Sequence, residues 1–341
     1  MFPRLSHPST LRVTYQELYD VLLRALLKAG LEGERAALCA RLFADTDLDG
    51  VYTHGLNRFP RFMGMIRRGV IDVHARPVCV ERRGALERWD GRRGPGNLNA
   101  HDSMERATEL SREHGLGCVA LGNTNHWMRG GSYGWQAAEA GAIGVCWTNT
   151  MPNLPPWGAS EPRVGNNPLV VAVPRPRGHV VLDIAMSQFS YGALAAYRMR
   201  GEQLPFAGGF DAEGRLTRDP AAIERSGRPL PIGLWKGSGL ALMLDMVAAL
   251  LSGGRATHRV SAKSEEETGL SQVFLAFDLS SFGEPETAAR VADEIIENLR
   301  QPSAGGEEVR YPGERTLEIR RRNLEEGITV EPSVWRQVQS L

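Results

Sequence analysis

Up to Gly69, apolar residues recur at three- and four-residue spacing, the period of helices that bury one face. Thr14 followed by Glu17 has the reciprocal spacing of a capping box. Leu18, Val21, Leu22, Ala25 and Leu26 then repeat on one side until Gly30 ends the run. A second helix is expected over residues 34–49, with Leu38, Leu42 and Phe43 on its apolar side and Gly50 closing it. This part of the chain reads as a helical subdomain.

Beyond Gly69 the period changes, and short apolar runs alternate with glycine-rich turns. Cys118-Val119-Ala120-Leu121 and the run over 143–148 read as buried strands, with a helix over 133–139 between them. Leu169-Val170-Val171-Ala172-Val173 and Val180-Val181-Leu182-Asp183 form a close pair split by the turn Pro174-Arg175-Pro176-Arg177-Gly178. Residues 240–251 are almost wholly apolar, which predicts a buried helix. Val273-Phe274-Leu275-Ala276-Phe277 adds a strand, 286–299 an amphipathic helix, 302–308 a polar loop, and the chain from Thr316 onward more helix. The fold class expected is α/β in the mixed α+β sense.

Composition narrows the field. The 341 residues are 42% hydrophobic and 23% charged, and forty basic side chains balance forty acidic ones. No global field is available to draw nucleic acid or an anionic membrane surface. Arg320-Arg321-Arg322, diluted by Glu318, Glu325 and Glu326, reads as a solvated helix face. Cys39, Cys79, Cys118 and Cys146 form no metal or redox spacing and read as buried free thiols, in keeping with a reducing cytoplasm. Residues 1–10 lack the apolar core of a signal peptide, and no apolar run approaches the ~20 residues that span a bilayer. No membrane and no nucleic acid partner is expected.

Against that background, three stretches carry candidate chemistry. The first is Gly50-Val51-Tyr52-Thr53-His54-Gly55-Leu56-Asn57-Arg58-Phe59-Pro60-Arg61-Phe62. If it is helical, His54 and Arg58 share a face. Arginine grips a carboxylate with two parallel hydrogen bonds, and histidine delivers a proton near neutral pH. A surface His–Arg pair beside a turn gives the same spacing. The second stretch, 123–134, packs Asn123, Asn125, His126 and Arg129 between a strand and a helix, where α/β proteins place ligands. A metal shared by His54 and His126 is not expected, because no carboxylate or thiolate completes a set. The third is Trp235-Lys236-Gly237-Ser238-Gly239, which opens the apolar helix. A lysine and small residues at a helix N-terminus suit a phosphate, and glycines there also suit close packing. Gly94-Pro95-Gly96 and Gly237-Ser238-Gly239 each lack the third glycine of a dinucleotide fingerprint.

Taken together, the blocks over 50–62, 123–149 and 165–168 with Trp157-Gly158, and Asp183-Ile184-Ala185-Met186-Ser187, resemble the malate/L-lactate dehydrogenase family, nicotinamide-dependent oxidoreductases without a Rossmann fold. The runs Trp127-Met128-Arg129-Gly130-Gly131 and Trp235-Lys236-Gly237-Ser238-Gly239 point to one subgroup, and Gly327-Ile328-Thr329-Val330 and Ser333-Val334-Trp335 also fit. The resemblance implies a helical subdomain over 1–75 carrying the catalytic histidine, a cofactor and substrate sheet domain over 76–300, and a segment over 301–341 that returns to the helices. It implies hydride transfer from NADH, with NADPH an alternative that Arg175 and Arg177 would serve through a 2′-phosphate.

Carried onto this sequence, His54 matches the proton donor. The cofactor positions fall on His179, Val180, Val181, Leu182, Asp183, Ile184 and Ala185, on Trp235 and Lys236, and on Gly313, Glu314 and Arg315. Arg58 is expected to hold the substrate carboxylate, and His126 and Asn125 to donate to its carbonyl or a neighbouring hydroxyl. No metal is implied. The expected partners are a small keto acid substrate and a second copy, in a homodimer with shared clefts. Malate or lactate dehydrogenation and cyclic imino acid reduction stand as alternatives, as does a nicotinamide-binding sensor without chemistry. Two positions depart from the family pattern: Asn166, where threonine is usual, and Thr53, where serine is commoner.

Overall fold

The computed structural model describes residues 11–283, 285–301 and 309–341. The expected loop over 302–308 and the leader over 1–10 lie outside them. The chain opens with strand β1 (Leu11–Val13) and helices α1 (Tyr15–Lys28), α2 (Gly33–Leu48) and α3 (Phe59–Arg67). The Thr14 capping box forms in both directions, with the Glu17 amide donating to the Thr14 hydroxyl and the Thr14 amide to the Glu17 carboxylate. Leu18, Leu22 and Leu26 of α1 pack on Phe43 of α2 and on Phe59 and Phe62 of α3 in one apolar core.

The sheet region runs β2 (Val78–Arg83), β3 (Leu86–Asp90), α4 (Gly96–His114), β4 (Leu116–Asn125), α5 (Gly131–Glu139), β5 (Ala142–Thr148), β6 (Leu169–Val173) and β7 (Val180–Ile184). It continues through α6 (Tyr191–Met199), the short pair β8 (Gly209–Phe210) and β9 (Leu216–Thr217), α7 (Pro220–Ser226), α8 (Trp235–Ser252), β10 (Thr268–Asp278) and α9 (Pro285–Leu299). The last elements are α10 (Glu314–Glu326), β11 (Ile328–Val330) and α11 (Pro332–Gln339). Seven strands form a mixed sheet in the order β2-β3-β4-β10-β5-β6-β7. Only β3 and β4 pair in parallel. Helices α4 and α5 cover one face through Met104, Ala107, Tyr133 and Ala137, and α8 covers the other through Ala241, Leu244 and Ala248. The two chain ends meet where β1 pairs antiparallel with β11, Leu11 opposite Val330, and Trp335 and Val338 of α11 join the helical core. The fold is the mixed α/β architecture with a central mixed sheet that the sequence implied.

Four local expectations are corrected. Helix α8 is not buried all round: Met243, Met246 and Leu250 are exposed, Leu250 at 72%. One side of it rests on the sheet through small residues, and the other faces outward. Cys79 is exposed, unlike the other three cysteines. Arg320 is not solvated, because its guanidinium bonds the buried Asp49 carboxylate at 2.6 and 2.9 Å and lies 4.8 Å over the Trp135 ring. The His54 segment is a turn followed by a 3₁₀ turn over Leu56–Arg58, and the α-helix begins only at Phe59.

Candidate active site

That turn is dictated by Asp47. Its buried carboxylate accepts the Leu56 amide at 2.5 Å, and a β-carbon on Gly55 would lie 2.2 Å from the same carboxylate. Glycine is therefore required at position 55, and the chain swings His54 and Arg58 into one cavity of about 620 Å³. The cavity also receives His126, Arg129, Asp183, Asn166 and Glu267. The His54 ring accepts or donates at Nδ1 with the Thr53 hydroxyl, 2.9 Å away. Burial, then the charges of Arg58 and Arg129, push its pKa down to about 4. Alone, the site keeps His54 neutral.

His126 lies beside it, the two rings 5.8 Å apart and 24° from parallel. The Met128 amide donates to His126 Nδ1 at 3.0 Å, so the neutral ring carries its proton on Nε2. Burial, with Arg58 and His54 next, holds His126 well below the usual histidine range. His126 is thus a fixed neutral donor, and His54 the ring whose charge can change. Arg58 is lowered to about 10 by burial and by Arg61. The buried Glu267 carboxylate faces both, 3.8 Å from Arg58 and 3.4 Å from Arg61, and also accepts the Met151 amide.

Asn125 does not join the cavity. It is fully buried, and its amide donates to the carbonyls of Arg93 and Gly94 at 2.8 and 2.9 Å. It anchors the chain that carries His126. The residue beyond it that matters is Arg129, whose guanidinium bonds Asp49 and lies beside Asp183. Burial raises the Asp183 carboxyl against the opposing pull of Arg129 and of the Gly131 amide, which donates to it at 2.8 Å. The polar density of 123–134 signalled Arg129. Nothing local marks Glu267, one of three consecutive glutamates, or Asp49, one of three aspartates in 45–49.

Of the three expected cofactor segments, the first is β7 itself, an edge strand of the sheet, the Gly313 turn packs on its start, and Trp235 and Lys236 open α8 beyond its end; neither of the last two segments lines the cavity. Asp183 and Ala185 at its C-terminal end line the cavity. Near its start, the Val181 amide donates to Pro312 at 2.9 Å, and Gly313, at φ +95°, passes so close that a β-carbon would lie 3.1 Å from Val181 N. Past its end, Ile232 donates to Met186 at 2.8 Å, which sets the entry to α8 with Trp235 and Lys236. Trp235 is exposed, and Lys236 makes no ion pair among the described residues. An unpaired ammonium at the start of an 18-residue helix fits a phosphate group, and the strand edge fits an extended dinucleotide. Glu314 is engaged by Arg300 and the Tyr311 amide. His179 lies against Trp135, its Nδ1 accepting the Arg175 amide. Arg175 itself is bound to Asp293, and Arg177 lies 3.8 Å from the same carboxylate.

Comparison with known proteins identifies the family. The sequence profile of the malate/L-lactate dehydrogenase family matches residues 13–339. The chain is 46% identical over 333 residues to the 2,3-diketo-L-gulonate reductase of Citrobacter koseri, covering 97% of this chain and 100% of that one. Among solved structures, it is similar to the sulfolactate dehydrogenase from Methanocaldococcus jannaschii, at 28% identity with a TM-score of 0.89 over 96% of this chain and 95% of the other. It is also similar to the delta1-piperideine-2-carboxylate reductase from Pseudomonas syringae, at 28% identity with a TM-score of 0.86 over 97% and 99%.

Proposed function

The chain belongs to the malate/L-lactate dehydrogenase family and is an oxidoreductase; we propose that it reduces a 2-keto acid with NADH or NADPH, taking 2,3-diketo-L-gulonate to 3-dehydro-L-gulonate. The substrate reading rests on the 46% identity to the Citrobacter reductase. The chemistry rests on one observation, the meeting of His54, His126 and Arg58 in a cavity walled by the end of β7.

The residues divide the work by charge. Strand β7, Lys236 and the Gly313 turn would hold a nicotinamide dinucleotide, which would supply the hydride. As charge builds on the keto oxygen, a donor must meet it and an acid must protonate it. His126 Nε2 offers the fixed donor, and His54 is the acid. Arg58 holds the carboxylate, with Arg61 and Glu267 setting its position. In the free protein Arg58 disfavours the imidazolium at His54. A carboxylate seated on Arg58 offsets that charge and raises the His54 pKa, so substrate binding arms the acid.

The exposed apolar face of α8, with Leu242, Met243, Met246 and Leu250, supports a homodimer built on that face. By length and composition alone α8 is apolar enough to cross a membrane. Its other side is fixed to the sheet by Ala241, Leu244 and Ala248, so a second copy is the occupant we favour. Four thiols without disulfide partners support a cytoplasmic setting.

The test is a panel of keto acids, malate, lactate and a cyclic imino acid, each followed at the nicotinamide absorbance with both cofactors. Fastest turnover of 2,3-diketo-L-gulonate is expected. NADH binding without turnover of any acid would instead mark a sensor.

A further inference from the structure

Asn166 stands in the cavity wall opposite no catalytic role, yet its orientation is fixed. Its backbone amide donates to Asn153 Oδ1 at 2.8 Å. That contact decides which end of the Asn153 amide is oxygen, so Asn153 Nδ2 must be the donor that reaches Asn166 Oδ1 at 3.1 Å. The Thr150 hydroxyl lies 3.1 Å from the same oxygen. Asn166 Oδ1 is therefore the end held by Asn153, and Nδ2 is left over. No acceptor meets Nδ2 among the described residues, and Asn166 is only half-buried and lines the cavity. A polar amide pinned at one end and open at the other presents hydrogen-bond donors to whatever fills the cavity. The rest of that wall, from Asn153, Thr150 and Tyr191, is also polar.

We propose that Asn166 is a specificity-determining residue that donates through Nδ2 to an oxygen on the substrate's carbon chain beyond the keto acid unit. The cavity would then take hydroxylated or oxidised sugar acids in preference to plain 2-keto acids. The inference rests on the reductase reading of the site. It adds to it the residue that reads the oxygens of the substrate's carbon chain. A site built to bond an oxygen rejects the analogue that lacks it, because the donor is then left unpaired.

The test is Asn166→Leu. The change keeps the side chain's size and removes the donor without putting an acceptor for a substrate hydroxyl in its place. Thermal unfolding confirms that the variant folds. The quantity read is the ratio of kcat/KM for 2-keto-D-gluconate over 2-ketohexanoate. In the unaltered protein the hydroxylated acid is preferred, and in the variant that ratio falls by about tenfold or more. A ratio that does not change, or no preference to begin with, overturns the proposal. The same ratio is read without turnover as dissociation constants for gluconate and 2-hydroxyhexanoate by calorimetry. A binding preference erased in the variant, with no turnover of any keto acid, sinks the reductase reading and keeps this one. Turnover with an unaltered ratio does the reverse.

Discussion

His54, the proton donor we propose, is held in the free protein at a pKa of about 4 by burial and two arginines. The sign of the consequence is definite. The protonated form is scarce at neutral pH and becomes about tenfold scarcer with each unit of rising pH, so kcat/KM for a keto acid should fall by up to tenfold per unit between about pH 6 and 8. Turnover at saturation should fall only at higher pH, because the bound carboxylate raises the His54 pKa. A flat kcat/KM across that range would remove His54 from the role. His54→Ala should lower kcat by about 100-fold or more, the worth of a positioned acid, with cofactor affinity little changed by fluorescence titration. Arg58→Lys keeps the charge and loses the planar fork. Misplacing the keto carbon by about 1 Å costs ~100-fold, so KM should rise and kcat fall together for keto acids. A neutral ketone analogue should lose little, and equal losses for both would assign Arg58 to the fold.

At the scale of elements, the sequence speaks where local chemistry decides. The capping box of α1 and the apolar period of α1 and α2 depend on neighbours three and four positions away, and both formed as read. Helix α4 is harder to read, because its stripe of Ala100, Met104, Ala107 and Leu110 is half alanine and is interleaved with the buried polar residues Asn97, Asn99, Ser103, Thr108 and Ser111. Strands β1 and β11 are three residues each, and each is a strand only because the other exists at the far end of the chain. His54 and Arg58 were legible as a pair, but the turn that aims them is set by Asp47, which no spacing rule marks. Helix α8 was misread for a related reason: an apolar sequence predicts burial without saying against what. Its outward face yields a prediction. The unaltered chain is expected to sediment as a dimer, and replacing Met246 and Leu250 together with glutamate should give monomers. A monomeric unaltered chain would leave that face without the partner assigned to it.

Across the whole molecule, one carboxylate joins the parts that the cavity needs. Asp49, 3% exposed, ends α2 of the helical subdomain. It binds Arg129, which reaches the cavity from the loop between β4 and α5, and Arg320 of α10, which follows directly on the Gly313 turn at β7. Arg320 in turn covers Trp135 of α5. The helical core, the sheet and the returning C-terminal helix are thus held at a single anion between two cations. Removing it leaves two guanidinium groups close together, one of them in the interior, and breaking a buried pair in this way costs about 3–5 kcal/mol. Asp49→Ala should therefore lower the unfolding free energy in a denaturant titration by that order. Arg129, left with Asp183 as its acidic neighbour, then acts more strongly on His54, so in the folded fraction the kcat/KM profile should shift further toward acid. A loss under about 1 kcal/mol with an unmoved profile would mean that apolar packing, not this ion triad, sets the junction.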